Sequence, residues 1–547
     1  MIIDAISGVG GGGGGTTIVQ KPTVSVGTYT YDGTAQGPTI TWDAGMADNC
    51  VVTNATKTDA GTYTLTIALK NASKMIWDDF TTADLTYEYT IQKADQTITL
   101  SSNAVTLDPE HLTSTVTISG AQGTISVTSS DASIATATVN GSAVTISNVS
   151  ETSGNATITV SAAATTNYEG ATVSISVICA FVQKQTFTVT LDLADSNPDT
   201  WCTRTEGTVT EVSPGGGENE IDELMGYYPC MLLNGVEGVK LNPNNYAKDV
   251  DGNDVDITSG NAGDVMVKFP SRGYKISKSG TTLTISITSD PNKFGYKYPT
   301  YKGTKVQAFY HSAYEGYTSG NKLRSLSGKT LTANQTIGTF RTQAQANGTG
   351  YEQRTFNEFT YLQCCALIKY KGKNMQTALG RGFVDGNSAA VTTGGTNTRG
   401  LNYGETTGKV QMKLFGIEDF WGNVFDFVDG IFSNANRQIQ VADGNFNDTG
   451  SGYTTVGASF SSNISGYLRD IIGTNDGGFA PASQSYGSAT TYFCDYVNVG
   501  VSRLAAFGGG WDSADAAGLF RLYVNRAASD AYADYGSRLT YLKVKES

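Results

Sequence analysis

The sequence predicts a mainly β protein that ends in a mixed α+β domain. Short runs of alternating Thr, Val, Ile and Tyr are separated by turn residues, a pattern typical of β-strands. The 547 residues include 64 Gly and only 16% charged residues, which favours many short strands joined by turns. At roughly 100 to 200 residues per domain, this length predicts three or more folded units.

Charge and composition exclude several classes of function. The formal net charge of -13 would repel a phosphate backbone, so we expect no nucleic-acid partner. Two His residues supply a metal site or a general base poorly, and we expect no cofactor, no metal and no catalytic residue. The amino terminus lacks a signal-peptide pattern and no run of 18 apolar residues occurs, so we expect no membrane insertion.

The seven cysteines show no CxxC pair and no spacing typical of disulfide-rich modules. We therefore expect free, buried thiols. They stand at these positions: Cys50, Cys179, Cys202, Cys230, Cys364, Cys365 and Cys494.

The first segments predict a tether followed by a small β-sandwich. An unbroken Gly run at 10–15 predicts a flexible tether over residues 1–16. Residues 17–94 contain alternating runs at 22–26, 63–69 and 87–94, broken by turn signals such as Asp32-Gly33. The residues YTYDGTAQ at 29–36 and DAGTY at 59–63 resemble the MBG family of immunoglobulin-like modules, which are found in bacterial and phage surface proteins.

A second all-β unit is predicted over residues 95–182. Its alternating runs lie at 96–100, 115–120, 123–130, 143–149 and 155–162. The residues SIATATVNG at 133–141 resemble the bacterial Ig-like group 2 fold. We interpret both sandwiches as spacers, because neither shows an aromatic or acidic cluster beyond what a sandwich core and its turns require. A carbohydrate site in one of them is the open alternative.

Residues 183–547 are predicted to form the third domain, and its clearest element is a helix from Thr355 to about Lys371. The sequence TFNE at 355–358 fits a capping box, and Gly372 stands where a helix end is expected. The predicted apolar face contains Phe359, Leu362, Ala366 and Lys369, with Cys365 beside it. The adjacent Cys364 and Cys365 point to different faces, which favours core packing over chemistry.

Four motifs in this third domain support a resemblance to a known fold. They are NMQTALGRG at 374–382, GIEDFWGNVFDFVDG at 416–430, FGGGW at 507–511 and GSR at 536–538. In this order they resemble the formylglycine-generating enzymes, a branch of the C-type lectin fold, over roughly 300–547. The preceding segment 187–198 is similar to the lead-in of phage members. The resemblance implies a C-type lectin domain after the two immunoglobulin-like sandwiches.

Enzyme chemistry is not carried over from the resemblance. The enzymes of that family use a copper-binding Cys pair shortly after the Gly-rich element, and this chain has no Cys there. The acidic residues Glu418, Asp419, Asp426 and Asp429 could suggest a glycosidase pair, but the motif that holds them is a core element in the family. The Asp-rich run 249–256 has the carboxylate density of a calcium loop, yet its Gly is misplaced and a β-turn is favoured.

The terminal segment most resembles the variable proteins of diversity-generating retroelements. In that family, adenine-directed mutagenesis of AAY codons never yields Lys, Glu, Gln, Met or Trp. Between Ala505 and Leu542 the chain contains no Lys, Glu, Gln or Met, and its one Trp is the frame residue Trp511. An ordinary low-charge strand and loop segment is the alternative. The resemblance assigns ligand binding to the following residues, called the variable positions below: Gly510, Asp512, Ser513, Asp515, Arg521, Tyr523, Asn525, Arg526, Asp530, Tyr532, Asp534 and Tyr535.

These observations predict a non-enzymatic receptor-binding protein of a phage or prophage, such as a tail fibre or tip protein. Its expected partners are a bacterial cell-surface protein or glycan, and a virion component bound through the amino terminus. We expect a homo-oligomer, with a trimer as one option, that is located in the virion after synthesis in the host cytoplasm. A formylglycine-generating-type oxidase and a bacterial surface adhesin are the alternatives.

The resemblance also predicts a division of labour within the terminal segment. The variable positions should share one exposed surface, because Tyr, Ser, Asn and Gly supply adaptable contacts. Trp511, Leu519, Phe520 and Leu522 should point inward as a frame.

Overall fold

The computed structural model describes residues 15–108, 111–181, 185–200, 202–206, 219–386 and 388–544. The predicted Gly-rich tether lies outside these residues except for its last two. Contacts divide the chain into two compact units, residues 1–183 and 184–547. The protein is mainly β with few helices, as predicted. None of the helices among the described residues combines the length and the apolar character needed to cross a membrane.

The N-terminal unit begins with short strands around a small core that includes Leu65, Ile67, Trp77 and Tyr89. Alternating residues of the central strands are buried, as the period of a half-buried strand requires. The main sheet has the strand order Tyr29–Thr30, Leu85–Gln92, Gly61–Leu69 and Cys50–Thr53. The remaining elements are the pairs Thr17–Val19 with Met75–Trp77 and Thr23–Ser25 with Thr39–Thr41, and the 3-10 helix Ala47–Asn49.

The second part of this unit is a sandwich of two four-stranded sheets. One sheet has the order Ala104–Leu107, Ala171–Cys179, Gly154–Ala162 and Ile125–Ser129. The other has the order Ala135–Asn140, Ala143–Asn148, Thr113–Ser119 and Thr99–Leu100. Val116, Val144, Ile158 and Ile175 fill the space between the sheets. The strand runs predicted from alternation thus form a closed core.

The two sandwiches of the N-terminal unit contact each other around Asn167. The Asn167 amide donates to Asp59 Oδ1 at 3.0 Å, and Asn167 Oδ1 accepts from the Ala60 amide at 2.8 Å. The rings of Tyr31 and Tyr168 meet edge to face, 5.3 Å apart. Polar and aromatic contacts therefore link the two predicted spacers.

The C-terminal unit contains three larger sheets. The four-stranded sheet has the order Thr203–Glu206, Thr186–Asp192, Thr282–Thr288 and Gly273–Ser279. The second sheet has the order Asn245–Asp249, Val236–Asn242, Tyr228–Leu233, Asp264–Pro270, Thr304–Ser312, Leu539–Val544 and Tyr351–Gln353, with Thr300–Tyr301 beside Thr304–Ser312. The third has the order Thr454–Thr455, Ile439–Val441, Phe425–Ser433, Arg503–Phe507, Leu522–Arg526, Tyr496–Val499 and Ile464–Tyr467, with Tyr535–Gly536 beside Phe425–Ser433. Two short hairpins pair Tyr317–Ser319 with Lys322–Arg324 and Lys413–Leu414 with Ile417–Glu418.

The helices of this unit are Asn219–Met225, Ile337–Gln345, Phe356–Tyr370 and Met375–Ala378, and Ala514–Ala516 is a 3-10 helix. The predicted helix at 355 is present, and Thr355 and Glu358 form its capping box. Two details of the prediction were wrong. The left-handed residue at its end is Lys371, with φ 55°, in place of Gly372, and every residue from Phe356 to Tyr370 is buried. The helix packs against the four-stranded sheet, the strand Phe425–Ser433 and the helix Asn219–Met225, so its polar residues, such as Asn357 and Gln363, are buried together with its apolar ones.

The terminal segment connects the second and third sheets. Tyr535–Gly536 pairs with Phe425–Ser433 in the third sheet, and Leu539–Val544 then lies between Thr304–Ser312 and Tyr351–Gln353 in the second. Ser537 and Arg538 make the crossing and are both fully buried. The loops that carry the variable positions are therefore held at both ends by sheet pairing.

Candidate ligand-binding surface

The strand Leu522–Arg526 provides the base of the candidate surface. It pairs antiparallel with Arg503–Phe507 and parallel with Tyr496–Val499, which in turn pairs with Ile464–Tyr467. Leu522 and Val524 are buried, whereas Tyr523 and Asn525 between them are half-buried. Because successive side chains of a strand point to opposite faces, one face enters the core and the other is presented outward.

Most of the variable positions are accessible. Asp512, Asp515 and Tyr532 are exposed, and Ser513, Tyr523, Asn525, Arg526, Asp530 and Asp534 are half-buried. Gly510, Arg521 and Tyr535 are buried, so the expectation that all twelve would be exposed was wrong for these three. Gly510 lies against the Asp534 side chain, while Arg521 and Tyr535 pack on the ring of Phe425. These three support the surface from beneath.

The variable positions of the strand and of the last loop lie together. The guanidinium of Arg526 lies 5.9 Å from the ring centre of Tyr523, 5.8 Å from that of Tyr532 and 5.2 Å from that of Tyr535. The rings of Tyr532 and Tyr535 are 5.5 Å apart. Arg521 also lies 4.8 Å from the Tyr523 ring centre and donates to the Tyr523 hydroxyl at 3.1 Å. Aromatic and guanidinium groups thus alternate along one surface.

The frame residues divide differently from the prediction. Leu519, Phe520 and Leu522 are buried, as predicted, and Phe520 contacts the rings of Phe479 and Phe493 at 5.1 and 4.9 Å. Trp511 is half-buried, so the prediction that it points into the core was wrong. It lies in the loop that leads to the 3-10 helix Ala514–Ala516.

Sequence reasoning missed residues of two neighbouring strands that extend the surface. Tyr496 lies 6.2 Å from Tyr523 and 5.2 Å from Tyr467, measured between ring centres, and Ser465 Oγ is 3.1 Å from Tyr496 Oη. Asn498 is half-buried opposite Tyr523 in the parallel pairing. The alternation YVNV at 496–499 was a usable signal for a half-buried strand, but its strand partner could not be identified from the sequence. We call Ser465, Tyr467, Tyr496 and Asn498 the flanking residues.

Several of the variable positions are acidic. Burial raises the pKa of Asp534, and the nearby Asp512 carboxylate raises it further, whereas Arg526 and Arg521 lower it. Asp515 forms an ion pair with Arg381 at 2.7 Å, and Asp530 accepts from the Ala527 amide at 2.9 Å. Burial likewise raises the pKa of the Tyr467 hydroxyl. The surface therefore offers carboxylates, guanidinium groups and phenols side by side.

The residues that suggested enzymatic or metal chemistry have structural roles. Asp426 bonds to Arg354 and Arg538, Asp429 bonds to Arg341 and Gln353, and all four acidic residues of the 416–430 motif are buried. The Asp-rich run forms a turn, in which Asp249 Oδ1 accepts from the Asp251 and Asn253 amides at 3.0 and 2.8 Å.

All seven cysteines are free and buried, as predicted. Cys494 stands before the Gly-rich element, and burial raises the pKa of its thiol to about 12. The copper site of the oxidases needs a thiolate pair, and this lone, protonated thiol does not fit it. Over the stretches that the structure describes, no three His, Cys, Asp or Glu side chains are grouped to hold a metal ion.

Comparisons with known proteins give structural neighbours at low similarity. No protein-family model matches the chain, and no curated protein matches it. The Major Tropism Determinant P3c variant is 12% identical, with 81% of this chain and 95% of that chain covered and a TM-score of 0.21. The U1 variant of the same protein is 14% identical, with 63% and 76% covered and a TM-score of 0.22. Domains 4 and 5 of the S-layer protein SbsC are 20% identical, with 29% and 98% covered and a TM-score of 0.15. These values are too low to carry an argument about function.

Proposed function

We propose that this chain is a non-enzymatic receptor-binding protein of a bacteriophage or prophage, and that the variable positions recognise a ligand on the bacterial surface. One observation supports the proposal: the accessible side chains of Tyr523, Tyr532 and Arg526 lie together, and buried residues of the same strand anchor them. Rigid aromatic groups with adaptable polar neighbours suit recognition, since few rotamers are lost on binding.

The wider assignment belongs to the same proposal. We infer a diversified C-type lectin domain, two immunoglobulin-like spacers and attachment to a virion through the amino terminus. Homo-oligomerisation, as a trimer or otherwise, would multiply weak contacts with a repetitive cell surface. The motif order and the Lys- and Glu-free composition of 505–542 support this assignment.

The decisive experiment replaces Tyr523, Tyr532 and Arg526 together by Ala and measures binding of the full chain to a panel of bacteria. We expect binding to be lost with little change in thermal stability, because Tyr532 is exposed and Tyr523 and Arg526 are only half-buried. The matched control replaces Arg399 and Tyr403 by Ala, a cation–π pair 4.9 Å apart elsewhere in the same unit. Full binding by the first variant, or equal loss in both, would contradict the proposal.

Two further observations separate the alternatives. A formylglycine-generating-type oxidase would contain copper and oxidise a thiol in a sulfatase-type peptide. An adhesin of the bacterium itself would be encoded away from tail genes and a reverse transcriptase. A genomic neighbourhood with both would support the phage assignment.

A further inference from the structure

The guanidinium of Arg526 lies among three tyrosine rings and forms no ion pair with a described residue, although it is near enough to Asp534 to lower the pKa of that carboxyl. Its centre lies 5.2 to 5.9 Å from the ring centres of Tyr523, Tyr532 and Tyr535. Its Nε atom is buried without a hydrogen-bond partner, and within the described part of the chain no carboxylate comes within 4.0 Å of the group. Because the side chain is half-buried at the surface, its guanidinium donors remain available, and a ligand anion would supply the partner that the protein does not.

Arg521 orients a second hydrogen-bond donor, the Tyr523 hydroxyl, beside Arg526. It is only 6% exposed, and its Nη2 donates to the Tyr523 hydroxyl at 3.1 Å, while its Nε and Nη1 have no partner among the described residues. Because the Tyr523 oxygen already accepts this bond, its own proton is free to be donated outward. The positive charge behind it makes that O–H a stronger donor.

The neighbouring carboxyl groups that the structure describes form no ion pair with either arginine. Asp515 is held by Arg381, Asp530 accepts from the Ala527 amide, and the buried Asp495 accepts from the Phe520 amide at 2.6 Å. Burial raises the pKa of Asp495 and of Asp534, and the nearby arginines lower it, but neither carboxyl forms an ion pair with Arg521 or Arg526 among the described residues. Asp512 is exposed and also lies beyond ion-pair distance of both arginines.

We propose that Arg526 and the Tyr523 hydroxyl, backed by Arg521, form a subsite for an oxyanion, and that the ligand is an acidic saccharide. This inference rests on the proposed function and deepens it. Guanidinium and phenol donors match the paired oxygens of a carboxylate or phosphate.

The flanking residues favour a sugar as the carrier of the anion. Tyr467 and Tyr496 are half-buried and meet edge to face, 5.2 Å between ring centres, and such an aromatic pair can pack against the C–H groups of a pyranose. Asn498 and Asn525 lie on neighbouring strands of the same face, where each amide can both donate to and accept from sugar hydroxyl groups. The ligand would therefore cross from the variable strand onto the flanking strands.

The test uses the full chain and three probes: trigalacturonate, its methyl ester and hexaglutamate. The ester has the same sugar rings without charge, and the peptide has the charge without sugar rings. We expect calorimetry to show that trigalacturonate binds at least about tenfold more tightly than either, since a hydrogen bond to a charged group carries such a difference.

Arg526→Gln should abolish the preference over the ester, and Tyr523→Phe should reduce it. The control Arg399→Gln, an exposed arginine over Tyr403, should keep it.

Each other outcome overturns part of the inference. Equal binding of the ester, or no binding of trigalacturonate, would exclude the oxyanion subsite, and equal binding of hexaglutamate would exclude the saccharide. Retained preference in Arg526→Gln would exclude the assigned residues. Binding to bacteria distinguishes these failures from failure of the proposed function. If the triple Ala variant no longer binds bacteria while Arg526→Gln behaves as wild type toward all probes, the proposed function is supported and the oxyanion subsite is excluded.

Discussion

Two arginines of the terminal segment show how differently the fold treats the same side chain. Arg538 is fully buried, and its Nε bonds to Asp426 at 2.6 Å while Nη2 donates to Glu315 and to the Asp419 carbonyl. Arg526 is half-buried among tyrosines and has no ion pair with a described residue. A charge in the core needs partners because it has lost its hydration, whereas a half-buried charge at the surface keeps part of its hydration and can remain unpaired until a ligand binds.

The buried network around Arg538 extends through the core. Arg354 shares Asp426 with Arg538, at 2.9 Å, and its Nε donates to His311 Nε2 at 2.9 Å. Burial lowers the pKa of His311, and the two arginines lower it further, so this imidazole stays neutral and accepts. The network fixes the crossing between the second and third sheets and thereby holds the loops of the variable positions.

The largest effect is expected from Arg538→Met. Removal of the guanidinium leaves Asp426 and Glu315 buried without their main partner, which should lower the free energy of unfolding by about 3 to 5 kcal/mol. Arg526→Met should change it by no more than about 0.5 kcal/mol. Chemical denaturation followed by tyrosine and tryptophan fluorescence measures both variants. Equal losses of unfolding free energy would contradict the claim that only Arg538 stabilises the core.

Truncation of aromatic residues tests the same contrast within the frame. Phe520→Ala removes a ring that is 1% exposed and should cost about 3 to 5 kcal/mol. Trp511→Ala should cost less, because Trp511 is half-buried in a surface loop. Thermal unfolding of the two variants compares them, and a larger loss for Trp511→Ala would place that residue in the core after all.

The buried carboxyl of Glu358 predicts a pH dependence of stability. Burial raises its pKa from 4.5 to about 7, so the folded state holds a proton that the unfolded state releases. The contribution of Glu358 is therefore fully present below pH 4.5 and is lost as the pH rises through about 7, a loss on the order of 3 kcal/mol. Glu358→Gln keeps a side-chain oxygen that can accept from the Thr355 amide, and it removes the titrating carboxyl. Its free energy of unfolding should fall less than that of wild type between pH 5 and 8, and parallel pH profiles would contradict this assignment.

The smallest effect is expected from deletion of residues 1–182. The two compact units have separate cores, so the rank order of binding across a bacterial panel should be unchanged. Apparent affinity can weaken uniformly if valency is lost, so matched oligomers should be compared. A changed rank order would show that the sandwiches also contact the ligand.

Local patterns were sufficient for the elements that depend on near neighbours. The alternation at 63–69 and 155–162 became strands, and the Thr355-Glu358 spacing became a capping box. Alternation also separated Tyr523 from Leu522 and Val524. The burial of Arg521 and Tyr535 was missed because it results from contact with Phe425, which is far away in the chain.

The sequence by itself determined the mainly β class, the helix start at Thr355 and the alternation of the terminal strand, because these depend on propensity and on a period of two residues or on a three-residue cap. Only the tertiary structure decided which strands flank that strand, and so brought Tyr467 and Tyr496 beside Tyr523. It also decided which arginine is paired. Arg538 meets Asp426 and Glu315 between two sheets, while Arg526 emerges at a surface, and pairing across the chain is a property of packing that no local pattern encodes.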